Sequence, residues 1–339
     1  MADHGARMAL GSNRTRLILG CLIGAAFFYL AVRQVDFGQM WKAFKEANYW
    51  YVLLIIGVIF FSHYLRALRW RYLLDPIIRL DIPSLFSSLV IGYMANVITP
   101  AHLGEVLRAY VLGKKRGLSA SSAFATIVVE RILDVFALLG LMVMAILLYP
   151  FPGWVKKSGY LMLAGTLALF FFLILLKTSH SRMRPFLDVI LRPLPGGLQG
   201  RSRELLERFV AGIVPLKSGL DYATVTILSV LIWLCYGLVI QLGLMAFDFF
   251  SIYHLPWLVS LIVLVITTIG VVVPSSPGYV GTYHYLCQIS LAMFGVPVSP
   301  ALSFATAIHA IQFVPILIAG LILSYIEGVQ ISKISKPGS

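Results

Sequence analysis

Long apolar runs separated by short basic segments make up most of the chain, and their lengths set the expected elements. Six runs reach the roughly 20 apolar residues that a helix needs to cross a bilayer core. They are Arg16–Val32, Trp50–Leu65, Ser119–Tyr149, Gly159–Leu176, Tyr222–Phe247 and Pro300–Tyr325. Two further runs, Ser84–Leu112 and Pro256–Phe294, are apolar but interrupted, at Pro100 and at Pro274–Gly278 respectively. Proline lacks the N–H that a helix interior requires, so each is expected to form two helical arms meeting at an elbow. One solution is a re-entrant hairpin that dips into the membrane and returns. The other is a pair of spanning helices joined by a loop. Irregular backbone at membrane depth survives only where protein or a water-filled cavity covers it. Either way the chain returns to the side it left.

Composition places this pattern in a membrane. The 339 residues are 59% hydrophobic and 12% charged, with a mean hydropathy of +0.89; soluble domains are nearer a quarter charged. The expected fold class is an all-α polytopic membrane protein, forming a single transmembrane domain over residues 1–339. The longest polar stretch, 177–220, is too short for a nucleotide-binding core of about 100 residues. It is expected to be a cytoplasmic linker carrying an amphipathic helix, either lying on the inner leaflet or simply solvated. Cys21, Cys235 and Cys287 all sit in apolar runs, which argues against a disulfide frame or a zinc site. The first run follows Arg7, Arg14 and Arg16 without a clear cleavage site, and reads as a retained signal-anchor.

The net charge of +13 would suggest nucleic acid in a soluble protein; here it points to loops facing anionic lipid, with no nucleic-acid partner. With the N-terminus inside, 20 of the 27 Lys and Arg residues fall in inner loops, Arg66, Arg69, Arg71 and Arg79 among them. Five fall outside: Arg33, Lys42, Lys45, Lys156 and Lys157. The positive-inside rule therefore predicts N-in/C-in, and the location expected is a multi-pass protein of the cell inner membrane.

The two broken runs resemble each other. Pro100-Ala-His-Leu-Gly104 and Pro277-Gly-Tyr-Val-Gly281 share a Pro-x-x-x-Gly spacing, and Ala123-Phe-Ala-Thr126 matches Ser303-Phe-Ala-Thr306. The offsets, 177 and 180 residues, are nearly constant. The expected repeats span 16–149 and 159–325. Each holds three spanning helices and one broken hairpin, and an odd number of spans makes the second copy inverted. Inverted repeats with broken helices meeting near the midplane are a secondary-transporter architecture.

The candidate chemistry gathers at the elbows and on the span that follows the first of them. A restarted helix presents unpartnered N–H groups and the positive end of its dipole, a ready site for phosphate or carboxylate. The expected substrate-binding residues are Asn96, Thr99, Pro100, Gly104, Glu105 and Arg108 at the first elbow. Pro277, Gly278, Gly281 and Thr282 are their counterparts at the second, with Ser275 and Ser276 as further hydroxyl candidates. Glu130 and Asp134, four apart, share one helical face deep within a span, and Arg131 is three from Asp134. Charge at that depth costs about 2.5–3.5 kcal/mol per residue on insertion scales, so it needs partners. Arg131 can reach Asp134, which leaves Glu130 for Arg108 or Arg66. The cluster is either a structural ion-pair network or a gate that exchanges partners. In the second copy the polar positions are His309 and Gln312, grouped with the gating residues. No metal motif, Walker loop, GxGxxG or Ser/His/Asp ordering is present, so no metal, cofactor or catalytic residue is expected.

These motifs also carry a resemblance. Asn96-x-x-Thr99-Pro100-x-x-x-Gly104-Glu105-x-x-Arg108, Glu130-Arg131-x-x-Asp134 and Pro274-x-x-Pro277-Gly278-x-x-Gly281-Thr282 resemble the transmembrane domain of the lysylphosphatidylglycerol synthase/flippase family. The resemblance implies a lipid flippase-like transporter moving an anionic-headgroup, aminoacylated or glycosylated lipid between leaflets. The chain ends at Ser339 without the family's synthase domain, so a stand-alone member is expected, acting on a membrane lipid. A lipid-modifying synthase or glycosyltransferase is a possible partner, and an oligomer is possible. The competing expectations are an integral-membrane transferase with Glu105 or Glu130 as base, and a non-transporting subunit of a lipid synthase.

Overall fold

The computed structural model describes residues 22, 24–99, 103–150, 153–178, 196–272 and 276–329. Much of the expected signal-anchor, Pro100, Ser275 and the first part of the 177–220 linker lie outside them. Every regular element among the described residues is helical. After α1 (24–32) come α2 (Phe37–Glu46), α3 (Trp50–Leu74), α4 (Ile82–Ile98), α5 (Leu103–Arg116), α6 (Ala120–Leu148) and α7 (Gly153–Thr178). Then follow α8 (Gly196–Gly212), α9 (Gly219–Ala246), α10 (Phe249–Tyr253), α11 (Val259–Val272), a 3₁₀ turn (Pro277–Tyr279), α12 (Thr282–Ala292) and α13 (Val298–Ile326). Five of the described helices, α3, α6, α7, α9 and α13, are long and apolar enough to cross a membrane. Both broken runs are broken where the prolines fall: α4 stops before Pro100, and α11 and α12 flank the Pro274–Gly278 segment.

One expectation about length is corrected. By run length alone the second span ends at Leu65, with Arg66 and Arg69 in an inner loop. The helix instead continues to Leu74, and Arg66 and Arg69 are buried within it. The apolar run stops at Arg66 but the helix does not, because carboxylates from α6 neutralise these arginines, as described below.

The chain divides into two compact units. One comprises residues 63–89, 105–233 and 328–339. Its core joins Ala67, Trp70, Leu73 and Leu74 of α3 to Leu85, Ala109, Leu112, Ala123 and Ile127. The two arms of the first broken run meet at their base here: Arg116 at the end of α5 donates to Asp81 and to Ser84 at the start of α4. The helix of the linker is neither free nor simply solvated. The Ser121 and Ser122 hydroxyls of α6 donate to the Leu205 and Arg208 carbonyls of α8 at 2.6 and 2.8 Å, and Phe124 meets Phe209.

Just past α3, Lys217 Nζ donates to Asp75 at 2.7 Å. That hydrogen bond, helped by the charges of Lys217 and Arg79, holds the Asp75 carboxyl below its usual range against the opposing effect of burial. A lowered carboxyl stabilises the fold above its ordinary titration range, and the contribution is lost as pH falls through the lowered value. Asp75→Asn is therefore expected to flatten the fall in thermal midpoint between about pH 5 and pH 3. The change at pH 7 should stay within about 1 kcal/mol, because the pair is solvated. An unchanged pH dependence would refute the assignment.

The other unit comprises residues 1–62, 90–104 and 234–327. Its core packs Ile55 and Ile59 against Val239, Leu244, Phe247, Phe249, Val263, Phe304 and Ile308. Unforeseen in the sequence, residues 37–46 form an amphipathic helix. The Asp36 carboxylate caps it by accepting from Gly38 and Gln39 N–H, and an N-cap of this kind is worth about 1 kcal/mol. It lies against α13, where the Ser303 hydroxyl donates to the Met40 carbonyl, with Phe37 and Trp41 left exposed.

Candidate functional site

The charged site lies in the unit containing α5 and α6. The 3.6-residue period puts Glu130 and Asp134 on one face of α6, and α3 brings Arg66 and Arg69 to that face by the same spacing rule. Arg66 bridges both acids, Nη1 to Glu130 at 2.8 Å and Nη2 to Asp134 at 3.0 Å. Arg69 Nη2 lies 2.7 Å from Asp134 and 3.4 Å from Glu130, while its Nη1 donates to the Ser229 hydroxyl at 2.9 Å. From α5, Arg108 Nη2 reaches Glu130 at 2.9 Å. Its guanidinium carbon sits 3.6 Å above the Trp70 ring, a cation–π contact. Trp70 is itself held by donation from Nε1 to Thr126 at 2.9 Å. At the rim, half-exposed Arg131 touches Glu130 at 2.8 Å, Asp134 at 3.4 Å and Glu105 at 3.7 Å.

The balance of charge is the notable feature. Arg66, Arg69 and Arg108 are buried together with Glu130 and Asp134, three cations against two anions. Arg131 and Glu105 at the rim offset one another. Removing an ion from water costs several kcal/mol even after relaxation, and only close pairing offsets it. Among the described residues the buried cations of this cluster therefore outnumber the buried acids by one. The Nε atoms of Arg69 and Arg108 are also buried, and neither has an acceptor among the described residues. An anion with several acceptor oxygens is the ligand such a cluster would take.

The elbow residues lie in the other unit. At the first, the Gly104 N–H donates to the Asn96 side chain at 2.7 Å, so this group at the start of α5 is occupied by the chain itself rather than free for a ligand. The Thr99 hydroxyl turns back to the Ala95 carbonyl at 2.6 Å. Gly104 packs so closely on α4 that a methyl group there would overlap the Gly92 carbonyl oxygen.

At the second elbow, Gly278 (φ 62°) and Gly281 (φ 89°) adopt left-handed conformations. Gly278 sits beside α4: an added methyl would lie 3.5 Å from the Val97 carbonyl oxygen. The two elbows are thus neighbours. Thr282 is buried, and its hydroxyl has no partner among the described residues. His309 lies 2.7 Å from the Gly278 carbonyl, and Gln312 is beside the Tyr283 phenol.

The predicted residues therefore fall into two groups. Glu105, Arg108, Glu130, Arg131 and Asp134 form one ionic cluster. Asn96, Thr99, Gly104, Pro277, Gly278, Gly281, Thr282, His309 and Gln312 surround the elbows. Sequence reasoning missed Arg69, Trp70 and His284, and named Arg66 only as one possible partner of Glu130. The run His63-Tyr-Leu-Arg66-Ala-Leu-Arg69-Trp70 did carry a signal: its two arginines stand three apart, in register with a continuing helix.

Comparison with known proteins agrees with the motifs. A UPF0104 membrane protein of Methanothermobacter thermautotrophicus is 32% identical over 130 residues, 37% of this chain and 38% of that protein. Glycosyltransferase AglD of Haloferax volcanii is 26% identical over 131 residues, 38% of this chain and 21% of AglD. A UPF0104 membrane protein of Methanocaldococcus jannaschii is 24% identical over 239 residues, 70% of this chain and 96% of that protein. The chain thus spans well under half the length of the first two. No solved structure matches. The family described as the lysylphosphatidylglycerol synthase TM region matches residues 17–320, nearly the whole chain, so this multi-pass membrane protein belongs to that family.

Proposed function

We propose that the chain is a flippase-like transporter that moves a lipid with an anionic, aminoacylated or glycosylated headgroup between leaflets of the cell inner membrane. The observation that carries this reading is the surplus positive charge of the Arg66/Arg69/Arg108 cluster over Glu130 and Asp134, the two acids buried with it among the described residues. A lipid phosphate would supply the missing charge and the acceptors for the two orphaned Nε atoms. Arg131, at the rim, would be the first group to meet it, and the exchange of Glu130 among four guanidiniums would accompany passage.

Short helices favour the architecture expected of such a transporter. At 1.5 Å per residue, α4, α5, α11 and α12 run only about 17–26 Å, less than the roughly 30 Å core. Re-entrant hairpins suit them better than spanning pairs. The close approach of Gly278 to Val97 is what two hairpins entering from opposite faces would produce, in keeping with an inverted repeat and an N-in/C-in topology. Glu130 and Glu105, the acids a transferase would use as bases, are engaged by Arg66, Arg108 and Arg131, which favours transport over transfer. The similarity to part of AglD favours, as a second reading, a role beside a glycosyltransferase that builds lipid-linked sugars.

The test is transport of a fluorescent anionic phospholipid in proteoliposomes. The protein should speed its movement over protein-free vesicles, and Arg131→Gln should slow it about tenfold, the loss of one charge-assisted contact. Equal rates with and without protein would refute the reading; a chemically altered lipid would favour the transferase.

A further inference from the structure

We propose that His284 and His309, packed against the second elbow, form a single-proton site whose occupancy sets the elbow's geometry. The rings lie 4.8 Å apart, centre to centre, and the chain defines the state of each. His309 Nε2 is 2.7 Å from the Gly278 carbonyl oxygen. That oxygen only accepts, so Nε2 carries a hydrogen and Nδ1 holds the free lone pair. The Gly281 N–H points to His284 Nδ1 at 3.4 Å, so that nitrogen holds the lone pair and Nε2 carries the hydrogen. Both rings are neutral in this arrangement, and each offers one basic nitrogen.

The two nitrogens are not equivalent. A proton on His309 Nδ1 breaks no contact. It makes the bond to Gly278 charge-assisted, and it places a cation on Phe313, whose ring stacks at 4.2 Å. A proton on His284 Nδ1 would instead turn the acceptor of the Gly281 N–H into a donor, and release it. Two imidazolium rings at this separation, with His284 buried and His309 half-buried, repel each other, so the pair takes one proton.

Tyr283 on α12 faces both rings, and Cys287 of α12 and Gln312 of α13 act on its phenol. Tyr279 of the turn stands behind Phe313, and Phe28 of α1 faces Gly281. Among the described residues no carboxylate pairs with either ring. Both hydrogen-bond partners of the pair are backbone groups of the elbow, at glycines with left-handed φ. Proton occupancy and elbow conformation are therefore one equilibrium. Resting on the transport reading, this makes a pH gradient a force on lipid movement.

Nuclear magnetic resonance of the protein in nanodiscs, with histidine labelled by nitrogen-15, tests the site without reference to transport. One imidazole, His309, should gain a proton as pH is lowered from 8 to 4 while His284 stays neutral, and the Gly278 carbonyl resonance should shift with it. Phe313→Leu should move that titration to lower pH. Titration of neither ring, independent titration of both, or a Gly278 signal that ignores pH would overturn the proposal. In proteoliposomes, one pH unit across the membrane should change the lipid rate about threefold or more, and His309→Gln should remove that dependence. A gradient effect that survives in His309→Gln would also overturn it. Titration as expected with no lipid movement by the wild type would instead count against the transport reading and leave the proton site standing.

Discussion

Glu130→Ala is expected to lower the thermal midpoint by about 10 °C in detergent, the largest effect of any single ionic substitution in this chain. Glu130 is fully buried and touches four guanidiniums, with Arg66, Arg108 and Arg131 at 2.8–2.9 Å and Arg69 at 3.4 Å. Its loss leaves Arg108 with no carboxylate partner among the described residues, and leaves the buried Arg66 and Arg69 to share Asp134. Removing one side of a buried pair costs about 3–5 kcal/mol, because the remaining charge is left uncompensated. The same logic predicts rescue. Glu130→Ala with Arg108→Ala should be more stable than Glu130→Ala alone, since the stranded cation leaves with its partner. A midpoint within a degree of the wild type for Glu130→Ala, or a double variant worse than the sum of both singles, would refute this account.

The second large effect is steric. Gly104→Ala should destabilise the first elbow strongly, since its methyl would overlap the Gly92 carbonyl oxygen and the Asn96 side chain. The main-chain oxygen cannot move aside without parting α5 from α4, and the Gly104–Asn96 hydrogen bond would go with it. Overpacking of this kind costs about 1–3 kcal/mol, with more where backbone must shift. Gly57→Ala is the control. Nothing lies within 4 Å of a methyl group there, so in the interior of α3 it should be neutral or stabilising by about 0.5–1 kcal/mol. Thermal midpoints measured side by side decide the matter: similar values for the two variants would show that the contact at Gly104 is not tight.

The physics that made parts of the molecule legible was local. Run length located the spans, because lipid demands a fixed apolar length. Proline located both breaks, because a missing N–H is felt within one turn. Helical periodicity placed Glu130 and Asp134 on one face, and their depth implied partners. The same local reasoning failed at Arg66 and Arg69. Taken one at a time they end an apolar run and look like loop cations, and only the carboxylates of α6, more than 60 residues away, make them core residues.

The sequence by itself therefore determined the class of solvent, the broken runs, the charged span and the family. Tertiary structure alone decided which charges pair, that Trp70 lies beneath Arg108, that Gly104 must be glycine and that His284 joins His309 at the second elbow. Each of these depends on which helices become neighbours, and that is set by packing of whole apolar faces rather than by any local run of residues.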